Sequence, residues 1–168
     1  MRAVFVIAQN DFRDEELFET KAELEIEGIE TETAAEKVKP AHGMLGGIAN
    51  PDMTLKDIDV EDIDALIFVG GSGAAKYFDN ADLHERAKEA YKKGKIVAAI
   101  CIAPSILANA GLLEGKRATA YPSEEINLKN HRAVYTDSGV EADGKIITAK
   151  GPQYAAEFGR TIVKALKG

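Results

Sequence analysis

The segment Lys95–Gly111 constrains the fold more than any other part of the chain. It begins as an unbroken apolar run with β-branched residues, which is typical of a strand buried on both faces. Without a polar linker it continues into Pro104–Gly111, which has helical spacing and ends on a glycine. Pro104 suits the first turn of a helix, because its missing N–H would have no helical partner there. The sequence therefore predicts a sharp strand-to-helix turn.

The only cysteine of the chain, Cys101, lies at this predicted turn. Ala99 and Ala103 stand two residues to either side, so the pattern small-x-Cys-x-small has the spacing of the G-x-S-x-G elbow that lifts a nucleophile in hydrolases. Free N–H groups and the dipole at a helix start favour a thiolate. We predict a reactive, easily ionised thiol. The alternative is a buried structural thiol, since free cysteine is among the most buried residue types.

Strand-like and helix-like segments alternate along the chain, which predicts an α/β fold with a mostly parallel, doubly wound sheet between helices. The length of 168 residues suits a single domain, residues 1–168. The predicted strands are residues 3–8, 29–34, 63–69 and 96–101, with short β segments at 117–121, 133–136, 140–142 and 146–149. The predicted helices are residues 15–27, 81–93, 104–112 and 154–166, and residues 37–51 form a small hairpin.

Three predicted loops follow the carboxyl ends of strands, and we expect them to lie close together: residues 9–16, residues 70–73 and the turn at Cys101. The glycine-rich second loop matches neither G-x-x-x-x-G-K-[ST] nor G-x-G-x-x-G, so nucleotide binding is disfavoured. Gly70 and Gly71 would instead let the backbone pass close to Cys101 and direct N–H donors at an oxyanion. A simple tight turn after a strand explains the same glycines.

The first predicted helix is strongly charged. We expect Asp14 to cap it and Leu17, Phe18 and Leu24 to form its inward face. A carboxyl group that contacts Cys101 would share one proton with the thiol, because two negative charges at contact distance are unfavourable. Periodicity does not select this residue from the acids of the first turns: Asp14, Glu15, Glu16 and Glu19.

Composition limits the partners and the location. A net charge of −7 argues against nucleic acid or an anionic membrane as partner. A single cysteine excludes an internal disulfide, and we find neither a signal peptide nor a membrane-spanning run, so we predict a cytoplasmic protein. The three histidines (His42, His84 and His131) show no metal-ligand spacing, and His42 in the hairpin is the one that could reach the site. We expect no metal and no cofactor.

Several segments together resemble the ThiJ/PfpI superfamily, whose members include deglycases and PfpI-type intracellular proteases: Ile67–Gly71, Val97–Pro104, Thr119–Pro122, Asp143–Thr148 and Lys150–Pro152. The resemblance runs nearly end to end. It implies a flavodoxin-like sandwich, as in class I glutamine amidotransferases, and a homodimer or higher oligomer. It also implies a reactive cysteine on a strained turn, hydrogen-bonded to a glutamate of the first helix, which the pattern Asp14-Glu15-Glu16-Leu17 places at Glu16. The oxyanion donors would be the backbone of Gly70 or Gly71 and of Ile102.

The chain departs from that resemblance where histidines are expected. Many peptidase-like and deglycase-like members have histidine directly after the cysteine, where this chain has Ile102. The other branch has histidine where this chain has Tyr121, and no acid stands at residues 74–76 to complete a peptidase triad. We expect Tyr121 to donate a hydrogen bond to substrate. It is a poor base at neutral pH, because its ordinary pKa is about 10. A triad peptidase is therefore disfavoured.

The sequence supports three hypotheses about function. The first is a stress-related, cofactor-free glyoxalase or deglycase that acts on a small carbonyl substrate such as methylglyoxal, with a Cys101 thiolate as nucleophile and Glu16 as proton shuttle. The second is a non-catalytic redox sensor in which Cys101 is oxidised to a sulfinic acid. The third is a PfpI-type cysteine peptidase.

Overall fold

The computed structural model describes residues 1–168 and centres on a seven-stranded sheet. The strands are β1 (Arg2–Val6), β2 (Asn10–Phe12), β3 (Glu30–Ala35), β4 (Ala41–Gly43), β5 (Ile48–Ala49), β6 (Met53–Thr54), β7 (Ala65–Phe68), β8 (Ile96–Ile100), β9 (Arg117–Ala118), β10 (Val134–Tyr135), β11 (Val140–Asp143) and β12 (Ile146–Ala149). The α-helices are α1 (Asp14–Ile26), α2 (Ala81–Lys92), α3 (Pro104–Asn109), α4 (Glu125–Asn130) and α5 (Ala155–Lys167). None of these helices combines the length and the apolar character needed to cross a membrane.

The strand order of the main sheet is β11-β12-β8-β7-β1-β3-β6. Every neighbouring pair is parallel except β11 and β12. If the edge strands β6 and β11 are left out, five parallel strands remain, in the spatial order β3-β1-β7-β8-β12. Numbered by their order along the chain, these strands are 2-1-3-4-5, which is the flavodoxin-like order. The predicted doubly wound α/β fold is confirmed. The order reverses between β1 and β7, so the carboxyl ends of these strands and of β8 flank the position where such folds bind ligands.

Two apolar cores lie on opposite faces of the sheet, because successive strand side chains point to opposite sides. Phe5 and Ile67 belong to the core that includes Phe158 of α5, and this core also contains Leu17 and Leu24 of α1. On the other face, the core combines strand residues with helix residues: Val4, Leu66, Val97, Leu83 of α2 and Ile106 of α3. Helices therefore cover both faces, as the doubly wound fold requires.

The first helix differs from its predicted form in two respects. Arg13 occupies the N-cap position, and the Asp14 carboxylate instead accepts the backbone N–H groups of Leu45 (2.9 Å) and Gly47 (2.7 Å) in the β4–β5 hairpin. The predicted cap was wrong because its partners lie 31 and 33 residues away. Phe18 is 40% exposed, so its predicted inward position was also wrong. The buried face of α1 includes Glu16 and Thr20.

Residues 37–51 contain the predicted hairpin, formed by β4 and β5, and β2 extends it into a separate three-stranded sheet. The helical segments that were not predicted include α4 and a 3₁₀ helix, Ser72–Tyr77, after the glycine-rich loop. The predicted strand at 117–121 contains only β9, which pairs with β10 outside the main sheet. These deviations place additional loops and turns around the carboxyl ends of β1, β7 and β8.

Candidate active site

Cys101 lies on the sharp turn between β8 and α3 that the sequence predicts. Its φ angle is +67°, a left-handed conformation that costs an L-residue about 1–2 kcal/mol. Backbone hydrogen bonds hold the turn: the Cys101 N–H donates to the Ala149 carbonyl (2.9 Å), and the Cys101 carbonyl accepts the Tyr121 N–H (2.8 Å). Ala99 and Ala103 are fully buried beside it. Small residues at these two positions leave room for the chain to reverse.

Glu16 is the acid of the first helix whose carboxyl group lies beside Cys101. Its side chain is fully buried, and Oε1 accepts the Gly70 N–H at 2.9 Å. Oε2 has no hydrogen-bond partner, and the Cys101 side chain is the group whose interaction with this carboxyl favours the carboxylate most strongly. The other candidate acids are occupied or exposed: Asp14 binds the hairpin, Glu15 pairs with Arg13, and Glu19 faces solvent.

The paired glycines have different roles in this geometry. A Cβ atom on Gly70 would lie 2.6 Å from Glu16 Oε1 and 2.7 Å from both the Cys101 Cβ and the Ile100 carbonyl oxygen. Gly70 therefore permits the carboxyl and the cysteine to meet, and its N–H is already used by Glu16. The N–H groups of Gly71 and Ile102 lie near the Cys101 sulfur and act to lower the pKa of its thiol. Of the two predicted glycine donors, Gly71 is the one whose N–H acts on the nucleophile.

Replacing Gly70 with alanine should destabilise the protein by about 1–3 kcal/mol, because the added methyl group must displace backbone as well as side-chain atoms. The free energy of unfolding in urea measures this. Gly151→Ala is a suitable control, since its Cβ would meet the flexible end of Gln153 at 3.0 Å and the Tyr121 ring at an ordinary contact distance of 3.8 Å. Equal stability of the Gly70→Ala and Gly151→Ala proteins would contradict the close approach.

The pair of Glu16 and Cys101 holds its protons strongly. Burial raises the pKa of Glu16 to about 7, against the opposing hydrogen bonds from Cys101 and Gly70. Burial, together with the neighbouring Glu16 charge, raises the pKa of Cys101 to about 12. Above about pH 7 the pair therefore carries one negative charge and shares the one remaining proton. Loss of solvent around the sulfur opposes the easily ionised thiol that the sequence predicts, whereas the Gly71 and Ile102 N–H groups favour it.

An open cavity of about 720 Å³ leads to the Cys101 side chain, which is 8% exposed. This volume is within the range of small-molecule sites, about 300–1,000 Å³. Tyr121 is 47% exposed and contributes to the wall, as predicted for a substrate contact. The lining residues come from six loops and turns: Arg13, Met44, Gly71, Ser72, Ala75, Phe78, Cys101, Ile102, Tyr121, Ser123, Glu124, Pro152 and Gln153.

The lining residues that the sequence did not single out include Arg13, Met44, Phe78 and Glu124. Met44 reaches the site from the hairpin, where its sulfur accepts the Ser72 N–H at 3.4 Å. No motif marks these positions, because each side chain enters from a different loop. One sequence signal could have indicated Glu124 as a site residue: the acidic pair Glu124-Glu125 follows the Tyr121-Pro122 motif closely.

The histidines lie outside the cavity lining, including His42, which is exposed on β4. His84 and His131 hydrogen-bond to the backbone carbonyl oxygens of Phe78 (2.7 Å) and Asn127 (2.9 Å), respectively. No group of three or more His, Cys, Asp or Glu side chains is arranged to hold a metal ion. Two titratable side chains interact electrostatically with the Cys101 sulfur: Glu16 of the first helix and Arg13 at the N-cap of that helix.

Comparison with known proteins agrees with this architecture. The model of the DJ-1/PfpI family matches residues 1–165. An uncharacterized protein of Methanocaldococcus jannaschii is 43% identical over 169 residues, covering 99% of this chain and 82% of that protein. A deglycase of Pyrococcus abyssi is 32% identical, covering 98% of this chain and 99% of the relative. The crystal structure of a ThiJ/PfpI domain protein from Brachyspira murdochii is 32% identical with a TM-score of 0.97, covering 99% and 96% of the two chains. This chain belongs to the DJ-1/PfpI family.

Proposed function

We propose that the protein converts small α-oxoaldehydes such as methylglyoxal, and their adducts with amines or thiols, to hydroxy acids. The observation that carries this proposal is the contact of a buried carboxyl group with a thiol on a strained turn, open to a cavity. The pKa of Glu16, about 7, suits a group that both accepts and returns protons at neutral pH. The name of the Pyrococcus abyssi relative, a deglycase, is consistent with this chemistry.

In the first step, the Cys101 sulfur attacks the aldehyde carbon and its proton passes to the Glu16 carboxylate. A C–S bond forms, the carbonyl electron pair moves to oxygen, and Glu16 returns its proton to that oxygen, which gives a hemithioacetal and restores the Glu16 carboxylate. The N–H groups of Gly71 and Ile102 lie near the sulfur and favour its charged form, so they stabilise the sulfur as its proton leaves. With an amine adduct as substrate, the C–N bond breaks as the C–S bond forms, and the free amine leaves.

In the second step, Glu16 moves a proton between adjacent carbons. Its carboxylate removes the hydrogen from the carbon bonded to sulfur, which gives an enediol, and a proton returns to the former ketone carbon. The product is a thioester of lactic acid on Cys101. Water then attacks the thioester carbonyl, the C–S bond breaks, and the sulfur recovers its proton. The sum is methylglyoxal plus water to lactic acid, with no external oxidant or reductant.

Oxidation sensing is the second candidate function. The unpartnered Oε2 of Glu16 favours it, because a protonated carboxyl there would donate a hydrogen bond to a sulfinate oxygen. The raised pKa of Cys101 opposes it, because peroxide reacts with the thiolate. Proteolysis has weaker support, since no histidine lines the cavity to act as base for Cys101.

Proton NMR of the reaction with methylglyoxal tests the proposed function. We expect lactate to accumulate as methylglyoxal disappears, in the presence of a metal chelator and without added thiol. Catalytic turnover requires more than one lactate per protein chain. Disappearance of methylglyoxal without lactate, or a single turnover followed by permanent labelling of Cys101, would contradict it.

We also propose that the protein forms homodimers or higher homo-oligomers. Four apolar side chains on α1 and the β4–β5 hairpin are 40–64% exposed: Phe18, Met44, Leu45 and Ile48. An added Cβ on Gly47 would lie 2.8 Å from the Phe18 ring, so helix and hairpin form one continuous patch. Exposed apolar patches of this kind mark association surfaces. Light scattering should give a multiple of 18.1 kDa, and a monomeric mass would contradict the proposal.

A further inference from the structure

Glu124 is a second carboxyl group in the cavity that contains Cys101, and the proposed chemistry does not use it. Its Oε1 accepts the hydroxyl of the fully buried Ser105 at 2.6 Å, and its Oε2 accepts the hydroxyl of Ser123 at 2.7 Å. Asn127 donates to the Ser105 oxygen at 3.0 Å and fixes that hydroxyl in turn. Glu124 is therefore held in one orientation at the cavity wall.

The charge of Glu124 is not neutralised by the protein. It takes part in none of the ion pairs of the chain. The one cationic side chain in the cavity lining, Arg13, is already bound by Glu15 through two hydrogen bonds of 2.9 and 3.0 Å. Glu15 balances the positive charge of Arg13. The cavity is therefore negative, because it contains the charge of Glu124 and the charge shared by Glu16 and Cys101.

The hydrogen-bonding capacity of Glu124 is also incomplete. Each carboxylate oxygen has two lone-pair sites, and each oxygen accepts one serine hydroxyl. The protein therefore leaves one site on each oxygen without a donor. A guanidinium group presents two parallel N–H donors with the spacing of a carboxylate, so it suits such a pair of acceptors better than a neutral donor does.

We propose that Glu124 makes this cavity selective for substrates that carry a positive charge, such as the adducts that α-oxoaldehydes form with guanidino or amino groups. The inference rests on the proposed function in that Cys101 is the reacting group. It also accounts for the size of the cavity, about 720 Å³, which greatly exceeds what a three-carbon aldehyde fills. Glu124 acts as a specificity-determining residue for the group attached to the reacting carbonyl.

Charged methanethiosulfonate reagents test this selectivity without requiring turnover. The sulfur attacks the reagent, a mixed disulfide forms and methanesulfinate leaves. Because Cys101 is the only cysteine, intact-mass spectrometry reports its modification alone. The measurement is the ratio of rate constants for the trimethylammonium-ethyl and sulfonato-ethyl reagents, each divided by its rate with a free thiol, at low ionic strength. We expect a ratio well above one for the wild type.

The Glu124→Gln variant should lower this ratio by roughly threefold to tenfold, because the lost charge affects the two reagents in opposite directions. Glu124→Asp keeps the charge and should retain most of the selectivity. This variant therefore distinguishes the effect of the charge from an effect of altered loop structure. Glu125→Gln is the matched control: it removes the same charge one residue away, where Glu125 pairs with Lys129 outside the cavity. An unchanged ratio in Glu124→Gln, or an equal fall in Glu125→Gln, overturns the inference.

The two proposals fail independently. If the wild type forms no lactate but the ratio falls in Glu124→Gln, the proposed turnover is wrong and the charge selectivity stands. If lactate forms and the ratio does not fall, the selectivity is wrong and the turnover stands.

Discussion

The Cys101→Ser protein should convert methylglyoxal to lactate more slowly than the wild type by more than roughly 10³-fold, the scale expected when a covalent nucleophile is lost. A serine hydroxyl is far less acidic than a thiol, and Glu16, with a pKa of about 7, is too weak a base to deprotonate it. Serine is close to cysteine in size, so the turn at residue 101 should remain intact. Initial rates of lactate formation by NMR measure the effect.

The control for this variant is its stability. The urea unfolding transition of Cys101→Ser should lie close to that of the wild type, since no volume is added to the buried turn. A folded Cys101→Ser protein that produces lactate at the wild-type rate would exclude Cys101 as the nucleophile.

The Glu16→Gln protein should lose activity by about 10²–10⁴-fold, the usual contribution of a general acid–base group. Glutamine keeps an oxygen that can accept the Gly70 N–H, so the local structure has the same hydrogen bond available. It lacks the ability to accept the thiol proton and to move a proton between carbons. Steady-state rates at pH 7.5 measure the loss.

Glu19→Gln is the matched control, because Glu19 lies on the same helix but is exposed. We expect its rate to equal that of the wild type within a factor of about 2, since surface substitutions have small effects. A Glu16→Gln protein as active as the Glu19→Gln protein would show that Glu16 has only a structural role.

The architecture follows from the sequence because strands buried on both faces leave a strong apolar signal. Ile96–Ile100 and Ala65–Phe68 are continuous apolar segments, and both are central strands. Short or polar elements leave a weak signal. Helix α4 has six residues with one buried position, and β9 has two residues, so local pattern cannot define either.

The site was predictable in part. Small residues around Cys101 indicated the strained turn, and the resemblance of the first-helix pattern pointed to Glu16. The residues alone did not distinguish Glu16 from its acidic neighbours, because the choice depends on which helix face packs against Gly70. The pKa of Cys101 depends on solvent exclusion by several loops, and the placement of Arg13 and Glu124 depends on tertiary structure. These properties are set by residues distant in sequence.

If Glu16 and Cys101 titrate as a pair, the pH dependence of Cys101 alkylation by iodoacetamide should show it. For the wild type we expect the rate to rise as the pH increases through about 7, where Glu16 becomes a carboxylate able to take the thiol proton. For Glu16→Gln we expect that step to disappear and a single rise to remain, at a pH above the ordinary thiol pKa of about 8.5, because the sulfur is still buried. Identical profiles for both proteins, each with one step near 8.5, would contradict the account.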